Sequence, residues 1–191
     1  VSSALPSEGK STITANLAVV YAQQGKRVLL VDADLRRPTV AITFDVTDNH
    51  GLTNYLADVH SELGSIIHHT RMDTLDVITS GPVPPNPAEL LASARMTTLI
   101  TQLRNHYDLV IFDVPPFLMV TDAQVLVSRM DGIAIVVSGG KTTKGALQRT
   151  SEILKIAEAP IVGFIYNDQN QKKNVGSGYG YGYGYGYGDA K

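Results

Sequence analysis

Residues 1–12 read VSSALPSEGKST, and the last four form a Gly-Lys-Ser-Thr run directly before a predicted helix. A phosphate group requires such an arrangement, because the backbone N–H groups of a tight loop and of a helix N-terminus point towards the anion. Lys10, which we expect on an exposed loop, would add a positive charge at the β- and γ-phosphates, and the Ser11 hydroxyl would bind Mg²⁺. The stretch therefore predicts a P-loop that binds ATP.

The predicted nucleotide contacts form one run of residues in this loop: Pro6, Ser7, Glu8, Gly9, Lys10, Ser11 and Thr12. The strict P-loop pattern has glycine five positions before Gly9, where this chain has Ala4. Alanine tolerates fewer backbone conformations than glycine, so the match is slightly weaker here. The alternative is an ordinary helix start with a chance Gly-Lys-Ser, which the strand–loop–helix context disfavours.

Short apolar runs alternate with helical patterns along the chain. The runs rich in Val and Ile predict strands buried on both faces, as in a parallel sheet, at residues 27–34, 75–79, 108–114, 132–137 and 160–167. Helices are predicted at 10–24, where Ile13, Leu17 and Val20 recur at helical spacing before a stop at Gly25, and at 96–106, 121–129 and 142–157. The alternation predicts an α/β fold with a doubly wound, mostly parallel sheet of the P-loop NTPase type.

Three aspartates stand where predicted strands end. Asp32 and Asp34 close the run VLLVDAD, and Asp113 closes LVIFD. Because α/β folds bind ligands at the carboxyl ends of their strands, these carboxylates are expected to converge near the P-loop. We predict catalytic roles for Lys10 and all three aspartates, and metal contacts from Ser11, Asp32 and Asp113. Which of Asp32 and Asp34 assists proton transfer stays open, and each aspartate alone could be a turn or cap residue.

Composition excludes several classes of protein. The formal net charge of −2 argues against nucleic-acid binding, and the chain has no cysteine. No apolar run approaches the roughly 20 residues that span a bilayer, and the histidines show no zinc-ligand spacing. The chain opens at Val1 inside a motif, so we expect a fragment that comprises a P-loop domain at 1–170 and a disordered Gly/Tyr-rich tail at 171–191.

The tail alternates glycine and tyrosine over residues 178–188. Its hydroxyl groups make it a predicted phosphoryl acceptor, whereas adhesion or stacking would accept phenylalanine equally well, and the tail contains none. The predicted acceptors are Tyr179, Tyr181, Tyr183, Tyr185 and Tyr187. A flexible coil of this length, from Asn170 to Tyr187, spans about 20–25 Å, enough to reach its own pocket or that of a neighbour.

The chain resembles the bacterial tyrosine kinases of capsule and exopolysaccharide export (BY-kinases). ALPSEGKST, VLLVDADLRRP and LVIFDVPP are similar to their Walker A, A′ and B motifs, GPVPPNPAELLAS (81–93) to a further signature, and the tyrosine tail to their autophosphorylated terminus. The resemblance implies ATP and Mg²⁺ as cofactors, and Asn167 matches a position that reads adenine in the wider ATPase class. An asparagine there could equally be a turn residue.

The resemblance also implies partners. These are a transmembrane activator of the polysaccharide co-polymerase type, fused or separate, further copies of the kinase in a ring built by an upstream helix, an opposing tyrosine phosphatase, and no nucleic acid. The kinase would be cytoplasmic and recruited to the inner face of the plasma membrane. One alternative is an ATPase switch of the partition or cell-division class, which would carry an extra lysine where this chain has Ala4-Leu5-Pro6. A small-molecule kinase is the other.

Two further segments have simple structural interpretations. In NPAELL, Asn86 is a predicted N-cap, Pro87 the first helical residue and Glu89 the partner in a near capping box. Arg36 and Arg37 could steer phosphate or an acidic partner, although a solvated surface pair is the commoner arrangement.

Overall fold

The computed structural model describes residues 1–168, so the predicted tail and its five tyrosines lie outside the described residues. Seven strands and seven helices lie within this range, each numbered in chain order. The strands β1 to β7 are Ser2–Ser3, Val28–Asp32, His68–His69, Leu75–Ile78, Leu109–Asp113, Ile133–Ser138 and Ile161–Asn167. The helices α1 to α7 are Lys10–Gln23, Val40–Thr43, Leu52–Ala57, Pro87–Ala92, Ala94–His106, Asp122–Val127 and Lys144–Ile156, and a 3-10 turn covers Leu63–Ile66.

The strands pair in parallel except at one edge. One set has the order β3-β4-β2-β5 and the other β1-β6-β7, and only β3 runs antiparallel to its neighbour. The backbone N–H of Val114 donates to the carbonyl oxygen of Val1 at 3.0 Å, which joins β1 to the end of β5. The strand order across the molecule is therefore β3-β4-β2-β5-β1-β6-β7, and the predicted α/β fold with a mostly parallel sheet is confirmed.

Alternating side chains of β2 enter two different cores, which explains why its sequence is apolar throughout. Leu29 and Val31 pack on one face of the sheet with residues of α3 to α7. Val28 and Leu30 pack on the other face with residues of α1 and α2. A strand covered on both faces has no position for a polar side chain until it ends, here at Asp32.

Helix α1 buries a different face from the one that its apolar spacing indicates. Its buried residues include Ala15, Ala18 and Ala22, whereas Val20 is 48% exposed. Small side chains let the helix lie close to the sheet, and a hydrophobicity pattern gives them little weight. The predicted stop is confirmed, because Gly25 has a φ of +82°, a conformation that glycine adopts without strain.

The NPAELL segment forms α4 as predicted, with Asn86 at the N-cap and Pro87 first in the helix. The capping-box hydrogen bonds are absent from this segment, however. Asn86 Nδ2 instead donates to Glu89 Oε2 at 2.6 Å, so the two side chains bond to each other. The last carbonyl oxygens of a helix have no partner within that helix. At this end of α4, the guanidinium group of Arg129 donates to the carbonyl oxygens of Leu91 and Ala92.

Candidate active site

The P-loop connects β1 to α1 and takes the shape that a phosphate requires. Ser7 and Gly9 have φ values of 58° and 90°, and α1 begins at the next residue, Lys10. Ala4, the departure from the strict pattern, is not among the residues of positive φ, so its side chain imposes no strain there. The first-turn N–H groups of α1 therefore open towards the loop, as expected for an anion site.

Glu8 anchors the P-loop from inside. Its carboxylate is fully buried, accepts the backbone N–H of Leu5 at 2.8 Å, and accepts a short hydrogen bond from the hydroxyl group of Thr142. Thr142 lies in the loop between β6 and α7, 134 residues further along the chain. The Glu8 side chain thus lies within the protein and ties two loops together, and the predicted contact of Glu8 with nucleotide stays a prediction.

Two more side chains hold the P-loop from the same side. Asn167 Nδ2 donates to the carbonyl oxygen of Glu8 at 3.0 Å, and Lys141 Nζ donates to that of Ser7 at 3.0 Å. Asn167 ends β7, so the last described strand stops beside the P-loop. The predicted contact of Asn167 with adenine stays a prediction.

Lys10 lies at the centre of a cluster of charges. Its Nζ is 2.9 Å from Asp34 Oδ2 and 3.2 Å from Asp113 Oδ1, and it donates to Ser11 Oγ at 3.1 Å. The expectation of an exposed loop is wrong for this side chain, because Lys10 is only 8% exposed. Burial lowers the pKa of Lys10, but Asp113 and Asp34 outweigh burial and hold it above its usual value.

Asp32 lies behind this cluster and organises the loop that follows β2. Its Oδ2 accepts the N–H groups of Thr39 and Val40, both at 2.9 Å, and its Oδ1 accepts the N–H of Asp34 at 3.2 Å. Burial above all, together with the nearby carboxylate of Asp113, raises the pKa of Asp32 to about 7 against the opposing effect of those hydrogen bonds. Both oxygens of Asp32 are therefore engaged with the backbone.

Asp113 offers the best fit for a cation. It pairs in register with Asp32 across β5 and β2, and its Oδ2 is buried without a hydrogen-bond partner among residues 1–168. A buried carboxylate oxygen in this state is costly unless a donor or a cation meets it. The described part of the chain has no group of three or more metal-ligand side chains, but Mg²⁺ binds through one or two carboxylates and substrate phosphates.

One cavity of about 460 Å³ is lined by the P-loop, Lys10 and Asp34. The P-loop forms one side of it, and the loops after β2 and β5 form the other. The lining residues are Pro6, Ser7, Gly9, Lys10, Ser11, Thr12, Asp34, Arg36, Arg37, Thr39, Pro115, Pro116, Met119 and Val120. Of the three predicted aspartates Asp34 lines the cavity, whereas Asp32 and Asp113 do not; Asp113 reaches the cavity's residues through its ion pair with Lys10.

Arg36 lies at the surface, as expected, but it is also paired. Its Nε and Nη2 donate to the two carboxylate oxygens of Asp122 at 2.6 and 3.2 Å. Asp122, in the first turn of α6, is 1% exposed. This bidentate pair joins the loop after β2 to α6. No sequence signal indicates it, since 86 residues separate the partners.

Comparison with known proteins identifies the family. Residues 7–161 match the family model described as AAA domain. Tyrosine-protein kinase YwqD of Bacillus subtilis is 48% identical over 174 residues, which cover 91% of this chain and 73% of that protein. The chain belongs to the bacterial tyrosine-kinase family. The resemblance of the BY-kinase motifs is thereby confirmed.

Solved structures place this BY-kinase domain in the same family. The kinase domain of Escherichia coli tyrosine kinase ETK superposes with a TM-score of 0.84 at 39% identity, over 95% of this chain and 70% of that one. The cell-division ATPase MinD of Pyrococcus furiosus is less similar, with a TM-score of 0.74 at 25% identity over 87% of this chain and 70% of that one. The kinase interpretation is thus favoured over the cell-division switch, and the P-loop fold implies nucleotide binding.

None of the helices within residues 1–168 is both long and apolar enough to cross a bilayer.

Proposed function

We propose that this BY-kinase transfers the γ-phosphoryl group of ATP to tyrosines of its own C-terminal segment. The observation that carries the proposal is the buried position of Lys10 between Asp34 and Asp113. That cluster faces a cavity shared with the P-loop, in a chain that ends in five tyrosines flanked by glycine. The proposed domain extends to residue 170, followed by the tail at 171–191.

The P-loop residues bind the phosphates of ATP in this proposal. Backbone N–H groups of residues 7–12 bind phosphate oxygens, and Lys10 places its charge at the β- and γ-phosphates. The buried Oδ2 of Asp113 and the Ser11 hydroxyl hold Mg²⁺, with Asp32 behind them. When bound, Mg²⁺ neutralises charge that develops on the phosphates during transfer.

The acceptor must lose a proton while its oxygen forms the new bond. A phenol has a pKa of about 10, so a carboxylate has to assist. Asp34 lines the cavity and is the better placed of the two candidates, while Asp32 positions the loop that carries Asp34. The phenolic oxygen bonds to the γ-phosphorus, the bond to the β,γ-bridging oxygen breaks, ADP leaves, and the phenolic proton passes to the carboxylate.

Family membership supports a wider role for this transfer. Autophosphorylation would regulate synthesis and export of a capsular or extracellular polysaccharide, and a tyrosine phosphatase would reverse it. The proposed activator is a transmembrane protein of the polysaccharide co-polymerase type, which would recruit the cytoplasmic kinase to the inner face of the plasma membrane. Transfer between subunits of a ring is the proposed geometry.

Labelling with ATP followed by mapping of phosphotyrosine tests the activity. We expect the label on the tail of the wild-type chain, and its loss from a matched variant in which all five tail tyrosines are Phe, with ATP affinity unchanged by calorimetry. Tyr55 is a built-in negative control, because it is 5% exposed, whereas Tyr166 is 68% exposed and precedes Asn167, the last residue of β7. Phosphate found mainly on Tyr166 or Tyr21 would overturn the tail as substrate.

A further inference from the structure

The cavity beside Lys10 has an apolar end that phosphate binding does not explain. This end is the loop after β5, where Pro115 and Pro116 are buried and Met119 is 58% exposed. All three line the same cavity as Lys10 and Asp34. ATP phosphates and Mg²⁺ interact with charged and polar groups, so an apolar wall next to them suits a different part of the reaction.

The loop that carries Met119 is held firmly in place. The Phe117 side chain is 1% exposed within the main core, and its backbone N–H donates to the carbonyl oxygen of Ser3 at 3.0 Å. The N–H of Leu118 donates to Ala4 at 3.3 Å, and that of Met119 to Pro116 at 3.2 Å. The turn is thus fixed to the strand that leads into the P-loop.

The Met119 side chain is not part of the hydrophobic core. Phe117 already anchors the turn in the core, while Met119 lines the cavity with more than half of its surface exposed. A single exposed apolar residue is ordinary on a protein surface, but this one stands on a rigid turn at the catalytic cavity. Methionine adapts to irregular partners and makes favourable contacts between sulfur and aromatic rings.

We propose that Pro116 and Met119 form the acceptor subsite of this kinase and hold the phenol ring of a tyrosine from residues 178–188. This inference rests on the proposed function and deepens it. The ring lies against the proline and the thioether, with its hydroxyl group directed towards Asp34 and the γ-phosphate. Asn167 touches the P-loop, and the 12 residues from there to Tyr179 have a fully extended length of about 40 Å, so the chain is long enough to bring a tail tyrosine to the cavity mouth.

The subsite selects tyrosine for a geometric reason. A serine hydroxyl lies next to its own backbone, so the acceptor backbone would have to enter the cavity itself to present it. A tyrosine places its hydroxyl at the end of a flat apolar ring, and its backbone stays outside. Glycine on both sides of each tyrosine removes the side chains that would otherwise meet the rim.

The test uses the full chain and three substitutions of exposed residues. Met119→Ala removes the thioether, Met119→Leu keeps the apolar volume, and Ile156→Ala is the matched control, because Ile156 is 84% exposed at the end of α7 and does not line the cavity. Each variant also carries Ser at the five tail tyrosines, which removes the rings that would compete for the subsite, so that an added Gly-Tyr peptide is the acceptor. Initial rates give KM and kcat for the peptide, calorimetry gives the Kd for ATP, and fluorescence anisotropy gives the Kd of a Gly-Phe peptide.

We expect Met119→Ala to raise KM for the Gly-Tyr peptide about tenfold, equivalent to about 1.4 kcal/mol. The Gly-Phe peptide, which cannot be phosphorylated, should bind more weakly by a similar factor. ATP affinity should match that of the control, and Met119→Leu should recover most of the loss. An unchanged KM and an unchanged Gly-Phe affinity in Met119→Ala would overturn the subsite while transfer to tyrosine remained. If the chain that keeps Met119 also gave no phosphotyrosine, the proposed function would be refuted, and the subsite with it.

Discussion

Lys10→Met should remove phosphoryl transfer and also destabilise the fold. The substitution keeps an unbranched side chain of similar length but removes the positive charge between Asp34 and Asp113. Both carboxylates are buried, with side chains 5% and 1% exposed, and Asp32 lies close behind them. Removing the cation therefore leaves Asp34 and Asp113 buried without their ion-pair partner.

The size of the effect follows from this burial. Breaking a buried ion pair by removing one partner costs about 3–5 kcal/mol, because the remaining charge stays desolvated. For a chain of this size, about 3 kcal/mol lowers the melting temperature by about 6–12 °C. A surface pair offers the contrast, since such pairs are worth about 0.2–1 kcal/mol. Arg27→Met is the matched control, because Arg27 and Asp108 form an ion pair whose side chains are 64% and 42% exposed.

Urea unfolding monitored by circular dichroism, without nucleotide or Mg²⁺, measures the stability of each variant, and labelling with ATP measures transfer. The double variant Lys10→Met/Asp113→Asn should regain part of the lost stability, since it removes one of the orphaned charges, and should still transfer nothing. If Lys10→Met were as stable as Arg27→Met, the buried charge cluster would not contribute to stability as argued. Wild-type labelling of tyrosine by Lys10→Met would contradict the P-loop assignment itself.

Three further outcomes are expected. Asp32→Asn and Asp113→Asn should each lower the transfer rate by far more than the tenfold that corresponds to about 1.36 kcal/mol, and a rate within twofold of wild type would make that aspartate a structural cap. Glu8→Ala should cost about 1–3 kcal/mol in urea unfolding, because the buried N–H of Leu5 loses its acceptor, and an unchanged midpoint would show that Glu8 does not anchor the loop. Tail phosphorylation, at about −1.5 to −2 charges per site, should weaken kinase assembly in sedimentation of the kinase with its activator and upstream segment, more at low salt than at high salt. An oligomer unchanged at low salt, with several sites occupied, would remove this charge switch.

The sequence by itself determined the fold class and most of the elements. Strands buried on both faces are apolar throughout, so their runs stand out, and β2, β4, β5, β6 and β7 lie within a residue or two of the predicted bounds. The aspartates at the ends of β2 and β5 were predictable for the same reason, since a polar residue can follow only where the strand leaves the core. Local motifs of this kind depend on neighbours in the chain, and a linear pattern records them.

Tertiary structure alone decided how the site is held and which groups are buried. Glu8 meets Thr142, and Arg36 meets Asp122, across separations of 134 and 86 residues, and no spacing rule reaches so far. Lys10 was predicted to be exposed but is buried and paired. Its burial results from two strands and a helix that meet at one edge of the sheet. Asp34 lines the cavity, whereas Asp32 lies behind it. Both oxygens of Asp32 accept hydrogen bonds from backbone N–H groups of the loop, and only folding brings those groups close to it.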